Sequence, residues 1–282
     1  MTYHSEHPSG ESIEEKGTAQ MVARTPESNT RPARRLSERL LYFWSLLVAG
    51  TLLVLFGVPV ILLALVTRRH NWVYPIAAWG ARNWLRLSGM KISVKGEVNL
   101  DSNRACVLIA NHRSYLDPAA LFVSFKRKLG FIAKKELLRV PILGQAMGYV
   151  NVIAIDRSNR ARAIETIRTA TERLHSGVSF VVFAEGTRAG AKELLPFKKG
   201  GFYMAIEAGA PITPVAIKNT GELMGKGTGT SRPGTIEITI LPVVETAGLS
   251  TDEDIERLIE KVHSSIAEEL GVEKSFQPAR AG

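Results

Sequence analysis

A histidine and an aspartate stand five positions apart in "NHRSYLDPAALF" (111–122), directly after the apolar run "CVLIA" (106–110). An imidazole held at one ring nitrogen by a carboxylate keeps the other free to take a proton, so His112 and Asp117 can form a general base with its orienter. Asp117-Pro118 reads as a helix start, with Asp as N-cap and Pro at the first helical position. His112 then falls in a short strand-to-helix loop, where ligands approach an open α/β sheet. The same residue types also cap such a junction without doing chemistry. Ser114 offers a hydroxyl for a Ser-His-Asp arrangement, but two positions after the histidine it is awkwardly placed for attack. A metal centre would need a further ligand at suitable spacing; His4, His7, His70, His175 and His263 are scattered, and no metal is expected.

A second cluster lies in "FAEGTRAGAKELLPFKKGG" (183–201), where Glu185, Gly186, Thr187 and Arg188 follow the apolar "SFVVF", with Lys198 and Lys199 beside glycines. An arginine, a hydroxyl and open backbone amides suit a phosphate. "FIAKKELL" ends another apolar run at Lys134-Lys135, and "VIAIDRSNRAR" ends one at Asp156-Arg157. The net charge of +9 is concentrated here, since residues 104–218 hold 18 basic against eight acidic groups. An anionic partner is implied: lipid headgroups or a phosphorylated substrate, and not nucleic acid, for which no binding motif is present.

These groups need elements to position them. Strand-like runs occur at 91–98, 106–110, 129–135, 150–156, 179–185, 212–217 and 235–240, with helical stretches at 118–127, 160–175, 202–208 and 251–270. That alternation predicts an α/β fold, a mixed sheet flanked by helices. "GKGTGTSRPG" (225–234) lacks the spacing of a nucleotide-binding P-loop and opens no helix, so it reads as an ordinary loop. The single Cys106 excludes a disulfide within the chain and reads as a buried small residue. Residues 1–36 read as a disordered tail. Leu40 to Thr67 carry no charge over 28 residues, about 42 Å of helix against a hydrocarbon core of roughly 30 Å. This segment either spans a membrane or, with arginines on both flanks and Gly57 and Pro59 in its second half, dips in and returns. Residues 71–89 place Trp72, Tyr74, Trp79 and Trp84 beside Arg82 and Arg86, a mix suited to a lipid interface. The expected organisation is a tail (1–36), a membrane segment with an interfacial helix (37–89) and a catalytic domain (90–282).

Four blocks in order, "NHRSYLD", "GYVNVIAIDR", "FAEGTR" and "APITPVAI", make residues 85–245 resemble the glycerolipid acyltransferase family that includes the lysophosphatidate acyltransferases. The resemblance implies that His112 is the catalytic base and Asp117 its orienter. It implies that Glu185, Gly186, Thr187 and Arg188, with Arg157, bind the acceptor's glycerol phosphate, Glu185 organising the loop or binding a hydroxyl, and that Lys134 adds a phosphate contact. One departure is Ala184, where the family usually has Pro. The substrates so implied are a lysophospholipid acceptor and acyl-CoA or acyl carrier protein as donor, with membrane lipids as surroundings and no cofactor. The catalytic domain is expected on the cytoplasmic face of the membrane.

Overall fold

The computed structural model describes residues 32–272 with the exception of Arg69, Ser102, Arg157 and Thr251. The tail expected over residues 1–36 lies outside the described residues up to 31. From Pro32 the chain is helical, so the boundary falls earlier than the sequence suggested.

Helix α1 (Pro32–Leu52) runs through a π-helical turn (Leu53–Gly57) into α2 (Val58–Thr67). No reversal occurs within the apolar segment. Pro59 lies in the first turn of α2, where its missing N–H costs least, and the π turn absorbs the irregularity. The stretch Arg35–Thr67 is long and apolar enough to cross a membrane. The chain reverses after it, at Arg68 (φ 54°), and α3 (Val73–Leu87) returns antiparallel. Ser45 Oγ lies 2.8 Å from Ser88 Oγ, Trp84 Nε1 donates to the Ser45 carbonyl (3.0 Å), and Phe56 meets Trp79 edge to face at 4.8 Å between centroids. The other face of α3 buries Leu85 in a core shared with the domain that follows. The helix expected at 71–89 is therefore half embedded in protein, and Trp79 stays exposed.

The sheet has seven strands among the described residues: β1 (Met90–Lys95), β2 (Val107–Ala110), β3 (Leu129–Lys134), β4 (Val152–Ile155), β5 (Ser179–Phe183), β6 (Ile212–Lys218) and β7 (Gly234–Ile240). Their spatial order is β1-β7-β6-β2-β5-β3-β4. Every neighbouring pair is parallel except β6 with β7, so the sheet is mixed as expected. Parallel strands are buried on both faces and read as continuous apolar runs, which is why "VLIA" and "SFVVF" show no alternation. Their side chains nonetheless divide by parity. Val107 and Ile109 point to a core completed by Phe202, Met204 and α9 (Asp252–Leu270), while Leu108 and Ala110 point to one completed by Leu116 and Leu121. Helix α9 supplies Ile255, Leu258, Ile259, Val262 and Ile266 to the first core, the apolar stripe of a period near 3.6. Cys106 is buried at the entrance to β2, its N–H on Ser179 Oγ (3.2 Å).

Asn111 explains why β2 stops where it does. Its side-chain amide donates to the Ile217 carbonyl (2.9 Å) and its Oδ1 accepts the Ile217 N–H (2.7 Å). The side chain takes over the ladder to β6 after Ala110 pairs with Val215, so the backbone can turn away without leaving buried polar groups unpaired.

Candidate active site

The chain leaves β2 through Asn111 and His112 and enters α4 (Leu116–Ser124). Asp117 is not the N-cap of this helix, as the sequence suggested; it lies inside the first turn, and Tyr115 precedes the helix. The cap is displaced because the Asp117 carboxylate turns back onto the loop. One oxygen, Oδ2, lies 2.8 Å from His112 Nδ1 and accepts the backbone N–H groups of Arg113 (2.7 Å) and Ser114 (2.8 Å). Asp117 is fully buried. With two backbone amides donating to the same oxygen, the carboxylate is fixed in place and orients the imidazole through Nδ1. Nε2 is left to take a proton. The His112 ring also stacks on Phe183, 4.1 Å between centroids and 21° between planes. The register explains the contact, since Ala110 pairs with Phe183 and the loop after β2 must pass beside the end of β5.

Ser114 is no nucleophile here. Its buried hydroxyl donates to the Met224 carbonyl (2.5 Å) and accepts the Leu116 N–H (3.1 Å).

The loop after β5 is tied to the histidine loop by Glu185. Its Oε1 accepts the His112 N–H (2.6 Å) and its Oε2 the Leu195 N–H (2.8 Å). Burial pushes this carboxyl up to about 7, against the lowering effect of the two N–H groups. With each oxygen accepting a backbone N–H, Glu185 ties the two loops together. Two further bonds close the same junction, from the Ala189 N–H to the His112 carbonyl and from the Lys198 N–H to the Ala184 carbonyl, both 2.8 Å. Gly186 adopts φ +71°, and a Cβ there would come 2.9 Å from Lys198 Cε. The lysine side chain can move; the left-handed backbone cannot be relieved, at roughly 1–2 kcal/mol for a residue other than glycine. Gly186→Ala is accordingly expected to lower Tm by about 3 °C, and a melting curve that matches wild type would show that the turn is not held as described.

Thr187 is exposed, and Arg188 lies with its guanidinium carbon 3.8 Å above the Tyr115 ring centroid. Lys134 is exposed at the end of β3, its ammonium 3.4 Å from Glu136. One strand, β5, lies between it and β2, so it stands two strand spacings away, about 10 Å. Its neighbour Lys135 binds Asp156 at 2.7 Å, and Lys135 with Ser158 holds the Asp156 carboxyl well below the usual range. Arg157 lies outside the described residues. His112, Asp117, Glu185 and the Gly186–Arg188 turn thus converge at the ends of the two central strands, with Lys134 on the same edge further out. Phe183, Arg113, Tyr115 and Lys226 belong to the same neighbourhood, and the sequence reading did not select them. The first could have been found from its place immediately before the "AEGTR" loop, and two of the others lie inside "NHRSYLD".

A mixed α/β sheet thus presents an oriented imidazole at one central strand end and a cationic turn at the next. The Acyltransferase family model matches residues 91–218, that is, β1 through β6. The human 1-acyl-sn-glycerol-3-phosphate acyltransferase beta is 30% identical over 192 residues, covering 68% of this chain and 69% of that one. A 1-acyl-sn-glycerol-3-phosphate acyltransferase of Saccharomyces cerevisiae is 36% identical over 194 residues, 68% of this chain and 63% of that one. The chain spans under two thirds of the length of several curated relatives that it matches. The crystal structure of the 1-acyl-sn-glycerophosphate acyltransferase PlsC from Thermotoga maritima superposes with a TM-score of 0.71 at 28% identity, covering 86% of this chain and all of that one. This chain belongs to the acyltransferase family.

Proposed function

We propose that the protein transfers a fatty acyl group from acyl-CoA, or from acyl carrier protein, to the free sn-2 hydroxyl of lysophosphatidate, making phosphatidic acid. The observation that carries this reading is the Asp117 Oδ2 contact to His112 Nδ1, with Nε2 left as the base at a cationic strand edge. Nε2 takes the hydroxyl proton as the oxygen attacks the thioester carbonyl. The new C–O bond forms, the C–S bond breaks, and the thiolate leaves with the proton that His112 returns. No acyl-enzyme is required, in keeping with the buried Ser114. Arg188 and Thr187, with Arg157 and Lys134, hold the acceptor's phosphate. Orienting the acceptor in this way contributes on the order of 7 kcal/mol in favourable cases.

The helical layer supplies the lipid. Near its start, Glu38 pairs with Arg232 (2.9 Å); at its middle, Gly57 faces Ile142; past its end, His70 packs on Tyr149. Held to the domain at all three points, the long helix lies along it and presents Leu40, Phe43, Leu47, Leu55, Leu62 and Leu65 outward. That geometry favours a layer embedded sideways in one leaflet over a perpendicular span, with the domain on the cytoplasmic face where basic flanks are favoured.

The test is acyl transfer from a long-chain acyl-CoA to lysophosphatidate by the detergent-purified full chain. Phosphatidic acid and free thiol should appear in equal amounts. A folded protein that binds anionic vesicles yet acylates no lysophospholipid from either donor would instead be a non-catalytic lipid-binding protein.

A further inference from the structure

Beside the histidine loop, and bordered by the Thr187–Arg188 turn, lies a cavity of about 370 Å³. Arg113, Thr187, Arg188, Glu193, Lys226 and Thr228 are among its lining residues. One wall is the "GKGTGT" loop (225–230), which reads from its residues as an ordinary loop. The structure draws this loop against the site: Gly225 bridges Ser114, and Lys226 Nζ donates to the Arg188 carbonyl (3.3 Å). Gly227 and Gly229 adopt φ +74° and +60°, conformations that keep side chains out of the loop and bring its backbone close to whatever enters. Arg113 is buried, held by Nε and Nη2 on the Glu193 carbonyl (3.2 and 2.8 Å). Glu193, the carboxylate among these residues, accepts the N–H of Gly190 (3.3 Å) and so is turned onto its own loop.

We propose that this cavity binds the phosphate-bearing nucleotide end of the acyl donor. The inference rests on the reading of the protein as an acyltransferase that uses a phosphorylated thioester. The cations about His112 are divided between its two sides. In the strand order β6-β2-β5-β3-β4, Lys134 sits on the β3 side of the histidine, while Arg113 and Lys226 sit on the β6 side, with Arg188 between. Two phosphorylated substrates must meet at one imidazole, and two cationic zones flank it. A lysophosphatidate headgroup carries one compact phosphate, which the β3 side and the Gly186–Arg188 turn can hold. The β6-side cavity has room for much more, and the two cations it adds beyond Arg188, namely Arg113 and Lys226, match a ligand bearing several phosphate charges. Coenzyme A has a 3′-phosphate and a pyrophosphate; the phosphopantetheine arm alone has a single phosphate.

Lys226 is exposed, so its substitution does not endanger folding. In the full-length enzyme, Lys226→Glu should raise KM for acyl-CoA roughly tenfold, with kcat and KM for lysophosphatidate within about twofold of wild type. Lys226→Arg should restore the wild-type KM. Adenosine 3′,5′-bisphosphate should compete with acyl-CoA in wild type and much more weakly in Lys226→Glu, and KM for an acyl-phosphopantetheine donor should hardly respond. A rise in KM for lysophosphatidate instead would give the cavity to the acceptor's phosphate and overturn the proposal, as would unchanged constants. Should wild type transfer no acyl group from any donor, the lysophosphatidate reading fails by itself. Calorimetric titration with adenosine 3′,5′-bisphosphate then decides the cavity: binding weakened by Lys226→Glu upholds the site, and absent binding removes it.

Discussion

His112→Ala is expected to lower acyl transfer to lysophosphatidate by about 10³-fold while leaving Tm within a few degrees of wild type. The rate prediction follows from the role of Nε2, since general-base catalysis contributes typically 10²–10⁴-fold. The stability prediction follows from what the side chain leaves behind. The His112 backbone keeps both of its ties, the N–H on Glu185 and the carbonyl on the Ala189 N–H. Asp117 keeps two of its donors, the N–H groups of Arg113 and Ser114. Asp117→Asn should approach the same rate, because an amide cannot hold the imidazole in the same tautomer and orientation. The double variant should then be little worse than either single one, as for residues that act as a unit. Multiplying losses in the double variant would mean that the two side chains act independently, and the base-orienter reading would fall.

The second large effect concerns a residue that touches no substrate. Glu185→Gln keeps the shape of the side chain and still should reduce transfer by about 50-fold or more. A glutamine has one acceptor oxygen for two facing N–H groups, so either His112 N or Leu195 N is left against an NH₂, at about 1–3 kcal/mol for a buried unmatched donor. The histidine loop and the cationic loop then lose their fixed separation, which the reaction geometry needs. The pH dependence carries a distinctive sign. The folded carboxyl sits at about 7 against an ordinary 4.5, so the folded state binds its proton more tightly than the unfolded state. The stability this group contributes is therefore fully present below about pH 4.5 and is lost as pH rises through about 7, a change on the order of 3 kcal/mol. Glutamine does not titrate. Urea unfolding of wild type and Glu185→Gln should show a stability difference that shrinks from pH 5 to pH 8, and a difference constant over that range would rule out the buried, proton-holding carboxyl.

Much of this was legible before any coordinates. The strands β2 to β6 coincide with apolar runs, because a sheet covered on both faces demands continuous apolar side chains, while β1 and β7 alternate apolar and polar residues. The longest helices were marked by period and caps; Arg160–His175 is found at its expected bounds, capped by Asn159 Oδ1 on the Arg162 N–H. The short α5 (Leu143–Met147) and α8 (Thr220–Met224) were not seen, since one turn is too little for a periodic signal and such turns exist only because tertiary contacts hold them. At the site, the convergence of "NHRSYLD" and "EGTR" could be guessed from strand ends, but their adjacency required the pairing of β2 with β5, a long-range fact. Glu185 was expected to organise the loop or bind a hydroxyl, and the packed structure shows which backbone amides, His112 and Leu195, meet its oxygens. Asp117 was misplaced by a single local rule, in which Asp before Pro reads as a cap, because that rule cannot see a histidine competing for the carboxylate.

Cys106, the chain's single cysteine, is buried at the foot of β2, the strand that leads into the His112 loop. While the native state holds, a disulfide reagent in solution meets no protein thiol. A colour change in an assay mixture therefore counts turnover alone, without subtraction for the catalyst. Once the strand opens, the same sulfur becomes reactive, and its labelling rate clocks how often the segment that carries the base comes apart.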